Sequence, residues 1–150
     1  MVACPDSLVW EVIKHNNSFL KKRNGKSKRS GAIRFSSEKG NLTSLSRFKY
    51  SGLANSKVFD VDCTDNNKAE LVIKTAAKSQ TVPGCMNVIE LRKSDFHKVV
   101  KTIKNSTSSV YYRRDLEAAA LGKWTKVYQA NKRANGVKKP VPTKMGRGTN

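Results

Sequence analysis

Charge is the feature that most limits what this chain can fold into. Thirty of its 150 residues are Lys or Arg and eleven are Asp or Glu, a formal net charge of +19. A compact body with that load repels itself, so the charge calls for an anionic partner that neutralises it. A small acidic substrate is answered by a few cations, so the partner is large. Nucleic acid fits, because every phosphate neutralised releases condensed counterions and each Lys or Arg adds affinity without a sequence code. An anionic membrane would ask for apolar anchors beside the charge. Solubility alone asks for a net charge of only about 2–8 in a small domain.

The charge is unevenly spread. Residues 1–50 carry eleven basic and three acidic residues, residues 51–100 seven and six, and residues 101–150 twelve and two. A near-neutral centre between two basic ends predicts a folded middle with cationic arms or faces at either end. The length fits one domain, and a hydrophobic fraction of 37% supports one modest core. No run of 18 apolar residues marks a membrane span. Glu11 interrupts the apolar run Leu8-Val9-Trp10, so no secretory signal is expected and the chain should stay on the cytosolic or nuclear side. Cys4, Cys63 and Cys85 form no CxxC pair and read as buried or idle thiols of a reducing compartment.

Hydrophobic patterning predicts an α+β fold: a short N-terminal helix, a small antiparallel sheet, two C-terminal helices and a basic extended tail. The helix spans 6–15, capped by Asp6 or Ser7, with Leu8, Val9, Val12 and Ile13 on one apolar face. A strand at 18–22 leads into the run from Lys21 to Arg29, where Asn24-Gly25 marks a turn. Lys21, Lys22, Arg23, Lys26, Lys28 and Arg29 make this a cationic finger, and Ala32–Ser36 is its returning strand. Residues 37–56 are loop, but Leu42, Leu45, Phe48, Tyr50 and Leu53 pack it down, with Phe48 expected in the core. Further strands are expected at 57–62, 69–75 and 86–91, the first two joined by a turn at Thr64–Asn67 and the third following the breaker Pro83-Gly84. Ser94 caps a helix with Phe96, Val99, Val100 and Ile103 in one stripe, 105–109 is a polar linker, and a second helix starts at Asp115. Residues 1–134 form the domain. Residues 135–150, with two prolines, three glycines, four basic residues and no acid, form a tail too poor in apolar groups to fold alone.

The chain is poor in catalytic material. His15 and His97 lie in no HExxH pattern, and no phosphate-cradling GxxxxGK[ST] or GxGxxG loop is present. His15 suits the carbonyl end of the first helix, and His97 a partly exposed helix position. Asp60, Asp62 and Asp65 lack the spacing of an EF-hand, and Asp60 and Asp62 fit the solvent face of a strand. No enzyme, metal, cofactor or small-molecule substrate is expected. Aromatic and basic residues interleave at Arg47-Phe48-Lys49-Tyr50 and Tyr111-Tyr112-Arg113-Arg114, a composition suited to phosphates and unstacked bases. An arginine pair just before a helix has little evident structural use, which favours phosphate contact for Arg113 and Arg114. The candidate RNA-binding residues are the six of the finger, with Arg34, Arg47, Lys49, Tyr50, Tyr112, Arg113, Arg114, Lys123, Lys126, Lys132 and Arg133, and Lys138, Lys139, Lys144 and Arg147 in the tail.

These segments resemble the eukaryotic large-subunit ribosomal protein twenty-eight family over most of residues 6–121. The resemblance is carried by Leu8-Val9-Trp10-Glu11-Val12-Ile13, Asn16-Asn17-Ser18-Phe19-Leu20-Lys21, Phe35-Ser36 with Glu38 and Asn41-Leu42, and above all by Phe48-Lys49-Tyr50-Ser51-Gly52-Leu53-Ala54-Asn55. Tyr112-Arg113-Arg114-Asp115-Leu116 is similar to a further family signature, with Arg114 where that signature has proline; Lys39-Gly40 stands where proline and asparagine are common. The resemblance implies a structural, non-catalytic protein of the cytoplasmic ribosome that passes through the nucleolus during assembly. Its implied partners are large-subunit ribosomal RNA and neighbouring proteins, with no membrane. A nucleolar assembly factor, maintenance of killer sixteen, shares the domain but carries several cysteines in the segment matching 18–55, where this chain has none. A histone-like DNA-compacting protein would account for the charge but not the strands, and an RNA-processing enzyme lacks its acid, base and metal set.

Overall fold

A computed structural model describes residues 4–25, 31–64, 68–78, 85–91 and 95–136. The fingertip with Lys26, Lys28 and Arg29, Asp65 and its turn, the breaker Pro83-Gly84, the expected cap Ser94, and residues 137–150 with Lys138, Lys139, Lys144 and Arg147 lie outside the described residues. The architecture is α+β. Helix α1 (Asp6–Ile13) precedes a two-stranded antiparallel ribbon, β1 (Leu20–Asn24) and β2 (Ala32–Ser36). A three-stranded antiparallel sheet follows, β3 (Phe59–Cys63), β4 (Ala69–Lys74) and β5 (Met86–Leu91), then helices α2 (Phe96–Thr107) and α3 (Glu117–Ala134). None of the three cysteines forms a disulfide, and Cys4 and Cys63 are exposed rather than buried. No helix among the described residues is long and apolar enough to cross a membrane.

The core lies between the three-stranded sheet and the C-terminal helices. Register places Phe59 across from Ile73, Val61 across from Leu71 and Leu71 across from Ile89, and strand alternation turns these residues to one face. Phe59, Val61 and Leu71 are fully buried there with Val99 and Ile103 of α2 and Ala120, Trp124 and Val127 of α3. The two helices are joined by an aromatic cluster: Phe96 stacks on Trp124 at 6.1 Å, and Tyr128 meets both rings. Asp95 caps α2, its carboxylate accepting from the His97 N–H. This helix runs to Thr107, past the expected start of a polar linker. Thr107 is buried and its hydroxyl bonds the Ile103 carbonyl and Glu117, so a polar sequence stays helical. A 3₁₀ turn, Arg114–Leu116, then leads into α3 two residues later than expected.

Helix α1 presents a different face from the expected one. Leu8 and Val12 are 54% and 71% exposed, whereas Val9, Trp10 and Ile13 turn inward. Trp10 decides the rotation by packing on Phe48 at 6.1 Å, because its ring offers the largest apolar area on the helix. Phe48 is accordingly not in the core but 40% exposed, a cover over Trp10. Neither Asp6 nor Ser7 caps the helix: Pro5 occupies the cap position, and the Asp6 carboxylate accepts from the Ser56 N–H and hydroxyl at 2.8 and 2.9 Å. His15 lies two residues beyond the helix end rather than on its last turn.

The segment between ribbon and sheet is packed down, as expected, but mainly by polar groups. Glu38 is buried and accepts from Asn41, from the Ser51 hydroxyl and from the Leu53 N–H. The buried Lys74 ammonium reaches the Gly52 and Asn55 carbonyls. A side chain at Gly52 would come 2.3 Å from the Lys39 carbonyl, so the two stretches of backbone touch only because position 52 is glycine.

Candidate nucleic-acid interface

Strands β1 and β2 pair from Leu20 opposite Ser36 to Asn24 opposite Ala32. The ribbon is exposed on most of both faces, so its side chains are free to serve a partner. Lys22 stands directly across from Arg34, and Lys21 and Arg23 flank Lys22 on the same strand. Like charges directly opposite on a sheet destabilise it. Here no carboxylate among the described residues forms an ion pair with any of the four. Arg34 instead donates to Nδ1 of His15 at 2.9 Å. Guanidinium only donates, so in this contact Nδ1 is the acceptor. Arg47, beyond the ribbon, is also exposed and unpaired by acid among the described residues. The ribbon and Arg47 therefore form a cationic surface that no carboxylate among the described residues compensates.

The second interleaved cluster divides. Tyr112 turns inward: its hydroxyl accepts from the Val58 N–H and donates to the Lys74 carbonyl. Burial raises the Tyr112 pKa, against the lowering effect of the Val58 hydrogen bond and the Arg113 charge. Arg113 also turns inward. Its guanidinium donates to the carbonyls of Lys57 and Lys49, both at 2.7 Å, and to Asp115 at 3.0 Å. Burial pushes the Asp115 pKa up, but the Arg113 hydrogen bond and charge and the Lys49 charge outweigh it, so the carboxyl is held low. The expectation that this arginine lacks a structural use is thus corrected: it clamps the 48–57 loop to the turn before α3. Tyr111 and Arg114 point outward instead. Tyr111 is 77% exposed, and the Arg114 guanidinium lies 5.2 Å from its ring centroid. This tyrosine is missing from the sequence-based candidates; its place in the aromatic-basic run was the available signal.

On α3, Lys123 points to the sheet and pairs with Asp60 at 2.7 Å. Asp60 is buried, not on a solvent face as expected. Burial raises its pKa, and the Lys123 charge and hydrogen bond oppose that. Lys126 and Arg133 are exposed, and Lys132 lies over the Tyr128 ring at 5.9 Å. Lys49 is shared between Asp115 at 3.6 Å and the face of Tyr50, which is half-buried against the core. Among the described residues no group of His, Cys, Asp and Glu is arranged to hold a metal ion.

Comparison with known proteins identifies the class as a ribosomal protein. The family model "Ribosomal L28e protein family" matches residues 8–130. Relatives include the large ribosomal subunit protein eL28 of Dictyostelium discoideum, 32% identical over 127 residues that cover 82% of this chain and 86% of the relative. The protein of the same name from Caenorhabditis elegans is 34% identical over 101 residues, 67% of this chain and 74% of that one. That of Schizosaccharomyces pombe is 32% identical over 114 residues, 74% and 81% respectively. The chain belongs to the Ribosomal L28e protein family.

Proposed function

We propose that this protein is a structural constituent of the large subunit of the cytosolic ribosome and stabilises large-subunit ribosomal RNA through two cationic surfaces. The observation that carries the reading is the cross-strand pair Lys22–Arg34, with Lys21 and Arg23 beside it. A ribbon that sets like charges opposite one another, with no acid among the described residues to compensate them, is favourable when an external anion sits between them. Phosphate oxygens supply that anion repeatedly along an RNA strand. The second surface consists of Arg114 with the exposed ring of Tyr111, on which an unstacked base can lie, together with Lys126 and Arg133 of α3. The fingertip residues Lys26, Lys28 and Arg29 and the tail residues Lys138, Lys139, Lys144 and Arg147 extend the same electrostatic role. Lys123, Arg113 and Tyr112 serve the fold instead. Ribosomal relatives name the destination, and passage through the nucleolus during assembly is part of the proposal.

Replacing Lys21, Lys22 and Arg23 together by Ser tests the reading. If each contacts a phosphate, the variant should retain its thermal melt while its RNA affinity loses salt dependence, the slope of log K against log salt falling by about 0.7–0.9 per lost contact. An unchanged slope would refute the ribbon as an RNA surface. Sedimentation of the tagged protein with mature large subunits and polysomes fits a structural constituent; confinement to pre-ribosomes would assign it to assembly.

A further inference from the structure

Among the described residues the outer side of β5 is an unpaired sheet edge whose one charge is the carboxylate of Glu90. Strand order is β3-β4-β5, and among the described residues no strand pairs with the far side of β5. Edge strands in natural proteins are generally blunted by lysines, prolines or bulges, because an unprotected edge recruits another strand. Met86–Leu91 reads Met-Asn-Val-Ile-Glu-Leu, with no Lys, Arg, Pro or Gly, and it pairs with β4 over six successive residues without a bulge. Val88 and Ile89 are 44% and 48% exposed and, being adjacent in a strand, face opposite sides of the sheet. An incoming strand would therefore find open backbone groups along the edge and an apolar side chain above and below. The opposite edge, β3, is protected differently: it carries Asp60 and Asp62, and α3 packs against it.

We propose that β5 accepts an extended, basic segment of a neighbouring ribosomal protein as a fourth antiparallel or parallel strand. The inference rests on the ribosomal reading above. Three observations select this occupant. RNA is disfavoured, because the strand offers no cation and the Val88 face of the sheet presents Glu70 on β4 and Asp62 on β3, aligned across the register. The same strand of a second copy is disfavoured, because it carries Glu90 and no cation and would set carboxylate against carboxylate. A polypeptide rich in Lys and Arg pairs its backbone with the edge and lays its cations toward Glu70, within one or two strand spacings of about 4.8 Å each. The chain's near-neutral centre is then a face for protein, and its basic ends are faces for RNA.

The test places a photo-reactive benzoylphenylalanine at Ile89 of the full-length tagged protein, a half-exposed position that tolerates a larger side chain. Large subunits are isolated on a gradient, irradiated and digested with nuclease and protease. The expected product is a cross-link to a peptide of another ribosomal protein with net positive charge. A cross-link to RNA, to a second copy or to an acidic peptide, or no cross-link in subunits that contain the protein, overturns the proposal. A second measurement uses the unaltered protein. Amide exchange in 87–91 should slow by about tenfold or more at alternate residues in subunits relative to free protein, because only alternate amides face outward. Unchanged exchange there also overturns it. Absence of the protein from large subunits refutes the ribosomal reading itself, which the gradient reveals before irradiation.

Discussion

Arg113 and Arg114 are neighbours in sequence with opposite predicted consequences when truncated. Arg113→Ala removes two hydrogen bonds from a guanidinium to backbone carbonyls at 2.7 Å, those of Lys49 and Lys57, and the contacts to Asp115. Hydrogen bonds to a charged group contribute about 1.5–3 kcal/mol each. The Asp115 pair adds at most about 1 kcal/mol, because the carboxylate side chain is 43% exposed and solvent screens it. The left-handed backbone at position 113, φ +47°, costs alanine about what it costs arginine, so the variant reports the side chain alone. The expected loss is about 3–7 kcal/mol. At about 3–4 °C per kcal/mol for a chain of this size, that lowers the melting temperature by about 9–28 °C.

Arg114→Ala should leave stability within about 0.5 kcal/mol, since the residue is exposed and its internal contact is the Tyr111 ring. It should instead weaken RNA binding and reduce the salt slope by about 0.7–0.9. Thermal melts by circular dichroism and salt-titrated RNA binding, measured on both variants below their melting transitions, separate the two roles. Arg113→Lys is a sharper control, because a single ammonium cannot span both carbonyls and the carboxylate as the planar fork does. If Arg113→Ala melts with the parent and loses RNA affinity, the clamp assignment is wrong and both arginines face phosphate.

Gly52→Ala should destabilise the protein by about 1–3 kcal/mol or more, read from a denaturant midpoint, because its methyl would lie 2.3 Å from the Lys39 carbonyl and backbone must move to admit it. Lys123→Met leaves the buried Asp60 carboxylate without its ion-pair partner, at a cost of about 3–5 kcal/mol at neutral pH. The sign with pH follows from burial, which already raises the Asp60 pKa: a raised carboxyl contributes stability at low pH that is lost as pH rises through its folded pKa. Removing Lys123 raises that pKa further, so the deficit against the parent should shrink as pH is lowered toward it; a deficit independent of pH would assign the loss to packing. Asp115 behaves oppositely: its lowered pKa contributes stability above the ordinary carboxylate range that is lost on acidification, and Asp115→Asn should flatten that part of the acid melting profile.

Short apolar runs bounded by turn residues made β2, β4 and β5 legible, and a single apolar stripe did the same for α2. Helix α1 offered two such faces, Leu8 with Val12 and Val9 with Ile13, and the choice fell to a contact 38 residues away, Trp10 on Phe48. Counting large hydrophobes placed Phe48 in the core; in the fold its job is to cover another ring. The divided tyrosine-arginine run was hidden for a different reason. Tyr111 and Arg113 adopt positive φ, +53° and +47°, with no glycine or asparagine to announce it. Each backward turn changes which of two adjacent side chains faces solvent. Net charge likewise counts cations without regard to their acceptors. Lys74, Arg113 and Lys123 find carbonyls or a buried carboxylate inside the chain, and no composition separates them from Lys22 or Arg34. What separates them is whether an acceptor lies within reach once the chain is folded. By that criterion, and among the described residues, Lys21, Lys22 and Arg23 have no carboxylate partner and Arg34 meets the His15 ring, so the ribbon is a surface whose charge we assign to an outside anion. Restoring an internal acceptor there, with Lys22→Glu opposite Arg34, should stabilise the isolated ribbon by about 0.2–1 kcal/mol while weakening RNA binding. A gain in stability accompanied by unchanged RNA affinity would show that the like-charge pair serves no phosphate.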